Sequence, residues 1–143
     1  MSDTAATFLA LDVGERRIGV ASANRITRLA SPLKAIVNDD TVIDVIKKLA
    51  QEEHAEAFVV GLPRGMSGQK TKQTAVIEAF VLQLRQHVDL PIYWQDEALT
   101  SQQAEKELEG RGKPYEKGDI DALAACYILE DFLKDHFSYG GVK

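Results

Sequence analysis

The sequence is poor in the residues that form cross-links and thiolate metal sites. Cys126 is the single cysteine among 143 residues, so an internal disulfide and a multi-cysteine zinc site are both excluded. The three histidines lie at predicted helix ends or surfaces and form no ligand pair. No apolar run reaches the ~20 residues that cross a bilayer, and residues 1–4 lack the features of a signal peptide. We therefore expect a soluble cytoplasmic protein that does not contact a membrane.

Positive charge is also in short supply, which bears on whether the chain binds nucleic acid. The chain carries 17 Lys and Arg against 22 Asp and Glu, a net charge of −5. The acids gather on predicted helix faces, whereas many bases lie in predicted turns and loops, where a phosphate backbone can reach them. A solvated surface of mixed charge explains the same distribution, and on charge alone it is the preferred interpretation. The bases concerned are Arg16, Arg17, Arg25, Arg28, Arg64, Lys70, Lys72, Arg111, Lys113 and Lys117.

What the sequence does contain is an alternation of apolar strands and amphipathic helices. With 45% hydrophobic residues, the chain is long enough for a core, and we expect residues 1–143 to form a single domain. The first three strands have connections too short for anything but antiparallel pairing. The predicted elements are strands at 6–12, 17–23 and 27–36, a helix at 41–53 with Asp40 as its N-cap, a strand at 57–62, a helix around 76–84, a strand at 91–95, a helix at 101–109 opened by a Thr100/Gln103 capping box, and a last helix from near Asp119.

These elements predict an α/β protein built on a mixed five-stranded sheet. Right-handed crossovers place the fourth and fifth strands parallel to the first, which gives the strand order 3-2-1-4-5 with strand 2 antiparallel. Helices then cover both faces of the sheet. Ligands of such sheets bind beyond the carboxyl ends of the parallel strands, and Asp12 and Glu97 both lie at such ends.

Three acidic residues, Asp12, Glu97 and Asp121, lie on different predicted elements that can meet at that edge. Each alone has a simple alternative: an aspartate that caps a turn, a solvated glutamate ahead of a helix, and a first-turn aspartate that complements the helix dipole. Strand alternation allows only one of Asp96 and Glu97 to share a face with Asp12. Together the three carboxylates predict a site for a hard divalent cation, Mg²⁺ or Mn²⁺.

Such a site favours chemistry at phosphorus. Two metal ions about 4 Å apart, held by carboxylates, support in-line displacement without a covalent nucleophile, and the sequence offers no convincing nucleophile. The glycine-bearing loop 61–70 lacks the Gly-Lys-Ser/Thr ending of a Walker loop. Its Arg64 and Lys70, with Arg16 and Arg17 near the first turn, are instead candidates for contacts with a nucleic-acid backbone.

Motifs at four places in the chain carry a family resemblance. They are Leu11-Asp12-Val13-Gly14 with Arg17-Ile18-Gly19-Val20-Ala21, Val60-Gly61-Leu62-Pro63, Asp96-Glu97-x-Leu99-Thr100, and Ile120-Asp121-x-Leu123-Ala124-Ala125. In this order, and over nearly the whole chain, they resemble the motifs of the RuvX (YqgF) family.

The resemblance implies an RNase H-like fold related to the RuvC Holliday junction resolvases. It implies a nuclease that matures the 5′ end of precursor 16S rRNA, with resolution of branched DNA as an alternative activity. By matching position, it implies that Asp12, Glu97 and Asp121 are the metal-binding catalytic acids. Arg17 matches the basic residue that the family carries after its first turn.

Two departures from the family pattern keep alternatives open. Ala98 stands where the family usually has arginine, and Arg64-Gly65 stands where it tends to have Leu-Asn. A non-catalytic RNA-binding factor of ribosome assembly is therefore one alternative. An actin-like kinase is another, since Asp-x-Gly on a first hairpin also opens that fold, although such kinases need two related domains. The sequence does not choose between RNA and DNA, or between a monomer and a homodimer.

Overall fold

The computed structural model describes residues 6–63, 71–97 and 100–137, and its elements follow the predicted order. Within these ranges the elements are β1 (Thr7–Val13), β2 (Arg17–Asn24), β3 (Ser31–Val37), α1 (Val42–Glu52), β4 (Ala55–Pro63), α2 (Lys72–Arg85), β5 (Ile92–Glu97), α3 (Thr100–Gly110) and α4 (Lys117–His136). Every predicted element is present, so apolar patterning together with capping and turn signals was sufficient to find them. No helix in the described ranges is long and apolar enough to cross a membrane.

The five strands form one mixed sheet in the order β3-β2-β1-β4-β5, which confirms the predicted topology. β2 pairs antiparallel with β1 and β3, and β4 pairs parallel with β1 and β5. The carboxyl ends of β1, β4 and β5 therefore lie at the same edge of the sheet. Near that edge, Asp12 of β1 is the ladder partner of Gly19 of β2.

The two faces of the sheet carry separate apolar cores, because successive residues of the buried central strands point to opposite faces. The core under α1 and α2 contains large residues such as Leu9, Leu11 and Phe58. The core under α3 and α4 takes small residues from the strands, including Ala10 and Ala21. Small side chains allow α4 to lie close to the sheet, and this helix contacts all five strands.

The third strand begins later than predicted. The sequence predicted a strand over 27–36, whereas β3 starts at Ser31. The side-chain oxygen of Asn24 accepts hydrogen bonds from the backbone N–H groups of Ile26 and Thr27 at 2.9 and 2.8 Å. This local bonding folds the start of the predicted strand into a turn, as asparagine side chains commonly do.

Two helix starts also differ from the predictions. The N-cap of α1 is Thr41 rather than Asp40, because the Asp39 carboxylate accepts hydrogen bonds from both the backbone and the hydroxyl of Thr41. α4 begins at Lys117, two residues before the predicted start. A capping box explains the earlier start, in which Glu116 accepts from the N3 backbone while Asp119 accepts from the Glu116 backbone.

A polar contact fixes α3 to α4. Tyr127 of α4 donates its hydroxyl to the Glu107 carboxylate of α3, and Arg111 pairs with the other oxygen of that carboxylate at 2.5 Å. Partial burial and the bond to Glu107 raise the pKa of Tyr127 to about 12, so the hydroxyl stays a donor. The bonds from Tyr127 and Arg111 lower the pKa of Glu107, so the carboxylate stays an acceptor.

Removing this hydroxyl tests how much the contact stabilises the pair of helices. We expect Tyr127→Phe to lower the free energy of unfolding by about 1 kcal/mol, because the ring remains while the hydrogen bond is lost. Urea denaturation followed by circular dichroism measures the change. Tyr93→Phe is the matched control, since it removes a hydroxyl from a ring that is partly exposed and stacked on Phe132. Equal stability of the two variants would show that the Tyr127 bond adds nothing.

Candidate active site

Asp12 and Glu97 end two parallel strands on the same face of the sheet. Asp12 follows Phe8 and Ala10 in the alternation of β1, and these two residues pack in the core under α4. Glu97, the last residue of β5, is only 5% exposed, whereas its neighbour Asp96 is exposed. The alternation of β5 therefore turns Glu97, and not Asp96, to the face that holds Asp12.

Both acids line one cavity of about 240 Å³ at this edge of the sheet. Its other walls come from the end of β4, from the first turns of α2 and α3, and from the middle of α4. The remaining lining residues are Gly61, Leu62, Pro63, Gln73, Ile77, Thr100, Ser101, Gln102 and Ile128. The cavity thus combines two carboxylates with hydroxyl and amide groups that can bind a polar ligand.

Asp121 reaches the same region from α4 through a contact that only glycine permits. A Cβ at position 19 would lie 2.0 Å from the carbonyl oxygen of Asp121 and 2.8 Å from the backbone nitrogen of Ala122. Because Gly19 is also the ladder partner of Asp12, this contact brings the backbone of α4 beside the end of β1. A side chain at position 19 would push this turn of α4 off the sheet.

The carboxylate of Asp121 forms an ion pair with Arg17 and does not join Asp12 and Glu97 in their cavity. Arg17 Nε donates to Asp121 Oδ2 at 2.5 Å, and the two side chains are 34% and 18% exposed. Both residues line a second cavity of about 500 Å³, together with residues that include Arg16, Lys72 and Gln73. Gln73 lines both cavities, so they are neighbours.

The predicted nucleic-acid-binding residues lie partly on this second cavity. Arg16 is exposed on its wall, and Arg17 contacts Asp121 there. Lys72, at the start of α2, adds a third cation to the same wall, where its ammonium lies 3.6 Å from the carboxylate of Glu15. Arg64 and Lys70 lie outside the described residues.

The titration of Asp12 is perturbed by its surroundings. Burial, followed by the negative charge of Asp121, raises the pKa of Asp12 from 3.8 to about 7. The carboxylates of Asp12 and Asp121 are therefore close enough to repel each other when both are charged. Without a cation, Asp12 is partly protonated near neutral pH. A cation in the cavity would favour the charged form and lower this pKa.

The carboxylates at this edge of the sheet suit a hard divalent cation. Two of the three acids that were predicted to converge lie in one cavity, and the third lies on its neighbour. Carboxylate oxygens are the ligands that Mg²⁺ and Mn²⁺ prefer. In the part of the chain that the structure describes, no group of three or more acidic, histidine or cysteine side chains is arranged to hold a metal ion. Asp12 and Glu97 share a cavity, while Asp121 lies on the neighbouring one with Arg17.

Sequence reasoning did not identify Gln73, Thr100 or Gly19 as parts of the site. Thr100 was assigned only a capping role, although it lines the cavity of Asp12 and Glu97. Gly19 carried a usable signal, because a glycine inside a strand often marks the close approach of another backbone. Gln73 carried no signal, since a glutamine in the first turn of a helix is ordinary.

Comparison with known proteins identifies the family and the fold. The RuvX family model, described as "Holliday junction resolvase", matches residues 6–135. A protein of Roseiflexus sp. (strain RS-1), named "Putative pre-16S rRNA nuclease", is 42% identical over 137 residues, which are 93% of this chain and 97% of that protein. A protein of the same name from Chloroflexus aurantiacus (strain ATCC 29366 / DSM 635 / J-10-fl) is 43% identical over 130 residues, which are 88% of this chain and 85% of that protein.

Solved structures of two resolvases are also similar to this chain. RuvC of Thermus thermophilus in complex with a Holliday junction substrate has a TM-score of 0.57 and 16% identity, and the match covers 91% of this chain and 94% of that one. The fowlpox virus Holliday junction resolvase has a TM-score of 0.54 and 9% identity, with 90% and 99% of the two chains covered. At these identities the likeness shows the shared RNase H-like fold alone, which confirms the predicted fold class.

The raised pKa of Asp12 predicts a pH-dependent penalty to stability. The folded state holds a proton on Asp12 up to about pH 7, whereas the unfolded state loses it near pH 3.8. Stability from this group is therefore lost as the pH rises between these values, because the unfolded chain binds fewer protons there. We expect Asp12→Asn to be more stable than wild type at pH 8 without metal, by roughly 2–4 kcal/mol, with the difference shrinking toward pH 4.

Thermal and urea unfolding in EDTA, at several values between pH 4 and pH 8, measure this difference. Asp96→Asn is the matched control, because Asp96 is an exposed acid beside Glu97. A gain that is independent of pH, or an equal gain in the control, would contradict the assignment of the penalty to Asp12.

The contact at Gly19 predicts a large loss of stability on adding one methyl group. We expect Gly19→Ala to destabilise the fold by about 1–3 kcal/mol or more, because the methyl would overlap the backbone of Asp121. Gly110→Ala is the control, since a Cβ at the end of α3 meets no atom within 4 Å. Urea denaturation compares the two variants, and similar stability would show that α4 does not depend on this contact.

Proposed function

The chain belongs to the RuvX family, and from this premise we propose that it is a divalent-metal-dependent nuclease that acts in 5′-end maturation of precursor 16S rRNA. The proposal takes residues 1–143 as one nuclease domain. The observation that carries it is the cavity shared by Asp12 and Glu97, with the backbone of Asp121 placed beside it by Gly19.

The electrostatics of this cavity support a cation as its ligand. Burial and the charge of Asp121 both disfavour the charged form of Asp12. Arg17 balances Asp121, but it does so on the neighbouring cavity. We propose that Asp12, Glu97 and Asp121 hold Mg²⁺ or Mn²⁺, which suits hard oxygen donors. When bound, one or two such ions activate water and stabilise charge at the scissile phosphate.

The other side chains around the two cavities hold and orient the substrate. Arg16 and Lys72 are exposed cations on the second cavity, where they can bind the phosphate groups that flank the scissile bond. Their local charge attracts a polyanion in spite of the net charge of −5, because the electric field at the site depends on the charges near it more than on their total over the protein. We retain Arg64 and Lys70 as further candidates for backbone contacts.

Precursor rRNA is the preferred substrate, because relatives that align over most of the chain are named for it. Branched DNA is the second candidate, since the family description and the RuvC complex both concern Holliday junctions. Symmetric cleavage of a junction needs two active sites, so this alternative requires a homodimer, whereas a monomer suffices for a single rRNA cut. We place the activity in the cytoplasm, where ribosomal RNA is processed in bacteria.

Asp12→Asn tests the catalytic assignment. The change conserves volume and removes one anionic ligand, and we expect cleavage of a precursor 16S rRNA fragment in Mg²⁺ or Mn²⁺ to fall by at least about a hundredfold. Denaturing gels of 5′-labelled substrate measure the rate. Asp96→Asn controls for the loss of an acid at this edge and is expected to keep its activity. Equal rates for wild type and Asp12→Asn would remove the site assignment.

A substrate panel decides between the candidate activities. It contains the precursor rRNA fragment, plain single strands and a four-way DNA junction, each with Mg²⁺ and with Mn²⁺. Faster cleavage of the rRNA supports the maturation role, and faster symmetric cleavage of the junction supports resolution. If the wild-type protein cleaves none of them, a non-catalytic RNA-binding role replaces the proposal.

A further inference from the structure

Arg17 holds the third acid on a cavity other than the one that contains Asp12 and Glu97. Arg17 Nε and Asp121 Oδ2 are 2.5 Å apart, and both side chains are partly buried. The two residues are 104 positions apart in the chain, so the pair is a tertiary contact between the start of β2 and α4. A charge-assisted bond of this kind is a strong competitor for a carboxylate oxygen.

We infer that Arg17 is a positioning residue that occupies Asp121 in the metal-free protein and competes with the divalent cation for its carboxylate. The inference rests on the proposed function. Cation binding then exchanges one positive partner of Asp121 for another. It also frees the Arg17 guanidinium beside Arg16 and Lys72, on the wall where a substrate phosphate is proposed to bind.

The geometry supports competition over assistance. An arginine that merely oriented a metal ligand would leave the three acids grouped and would raise metal affinity. Instead, Asp121 lines the neighbouring cavity while it is paired, and the described acids form no three-ligand group. The backbone of Asp121 is already held against Gly19, beside Asp12, so the exchange needs a rotation of the side chain and no movement of the helix.

The test is the affinity for Mn²⁺ in the absence of nucleic acid, measured by electron paramagnetic resonance of the free ion. We expect Arg17→Met to bind Mn²⁺ at least about fivefold more tightly than wild type, because a charge-assisted bond that opposes binding is removed. The methionine keeps an apolar stem in place of the arginine stem. Lys72→Met is the matched control, since it removes an exposed cation from the same cavity, and we expect a change below about twofold because solvent and salt screen that charge.

A double-mutant cycle separates competition for Asp121 from a general effect of charge. In the Asp121→Asn background, Arg17→Met should change Mn²⁺ affinity by less than about twofold, because the carboxylate on which Arg17 acts is gone. Binding by Arg17→Met that is equal to or weaker than that of wild type overturns the inference. A gain that persists in full in the Asp121→Asn background overturns it as well.

Arg17→Lys keeps the test decisive if the methionine variant does not fold. Lysine retains the charge and loses the planar donor. We therefore expect the Mn²⁺ affinity of this variant to exceed that of wild type by between about twofold and about fivefold. No gain in this variant then overturns the inference. Failure of the proposed function looks different: the wild type would bind no Mn²⁺ or cleave no substrate. A wild type that cleaves RNA, with no gain in either Arg17 variant, overturns the role of Arg17 alone.

Discussion

The site depends on the contact between Gly19 of β2 and the backbone of α4 at Asp121. Because a Cβ at Gly19 would lie 2.0 Å from the carbonyl oxygen of Asp121, the helix rests on the sheet at the residue that pairs with Asp12. The neighbouring strand residues under α4, such as Ala10 and Ala21, are small for the same reason. Close packing of one helix against the sheet thus brings an acid from late in the chain beside an acid from its beginning.

That proximity has an electrostatic cost, and the charges around it follow from this cost. Two carboxylates near each other in a partly buried position cannot both be charged without a positive partner. Burial first, and the charge of Asp121 second, raise the pKa of Asp12, and Asp121 is paired with Arg17. Perturbed carboxylates of this kind cluster at functional sites, and this arrangement therefore supports the proposed cation site.

The fold could be predicted from the sequence because its signals are local. The apolar runs around Leu9 and Phe58 have the length of buried strands, and short connections determine the antiparallel pairing of the first three. The errors in the prediction are those that local patterns invite. Asn24 accepts a hydrogen bond from the backbone of Thr27 and folds this first residue of the predicted third strand into a turn.

The candidate site could be predicted in its members but not in their pairing. Alternation showed only that one of Asp96 and Glu97 could share a face with Asp12, and the structure shows that this residue is Glu97, which lines one cavity with Asp12. Asp121 had the strongest simple alternative, since a first-turn acid alone is explained by the helix dipole, and it was predicted only as the third acid on an element that can meet the same edge. No pattern in the sequence indicated that Arg17 would bind this acid 104 residues away.

The sequence by itself thus determined the elements, their order in the sheet and which acids reach one edge, because periodicity and connection length act over a few residues. Only the tertiary structure decided which charges neutralise which. Ion pairing depends on distances of a few ångströms between side chains, and those distances are set by how closely α4 packs on Gly19.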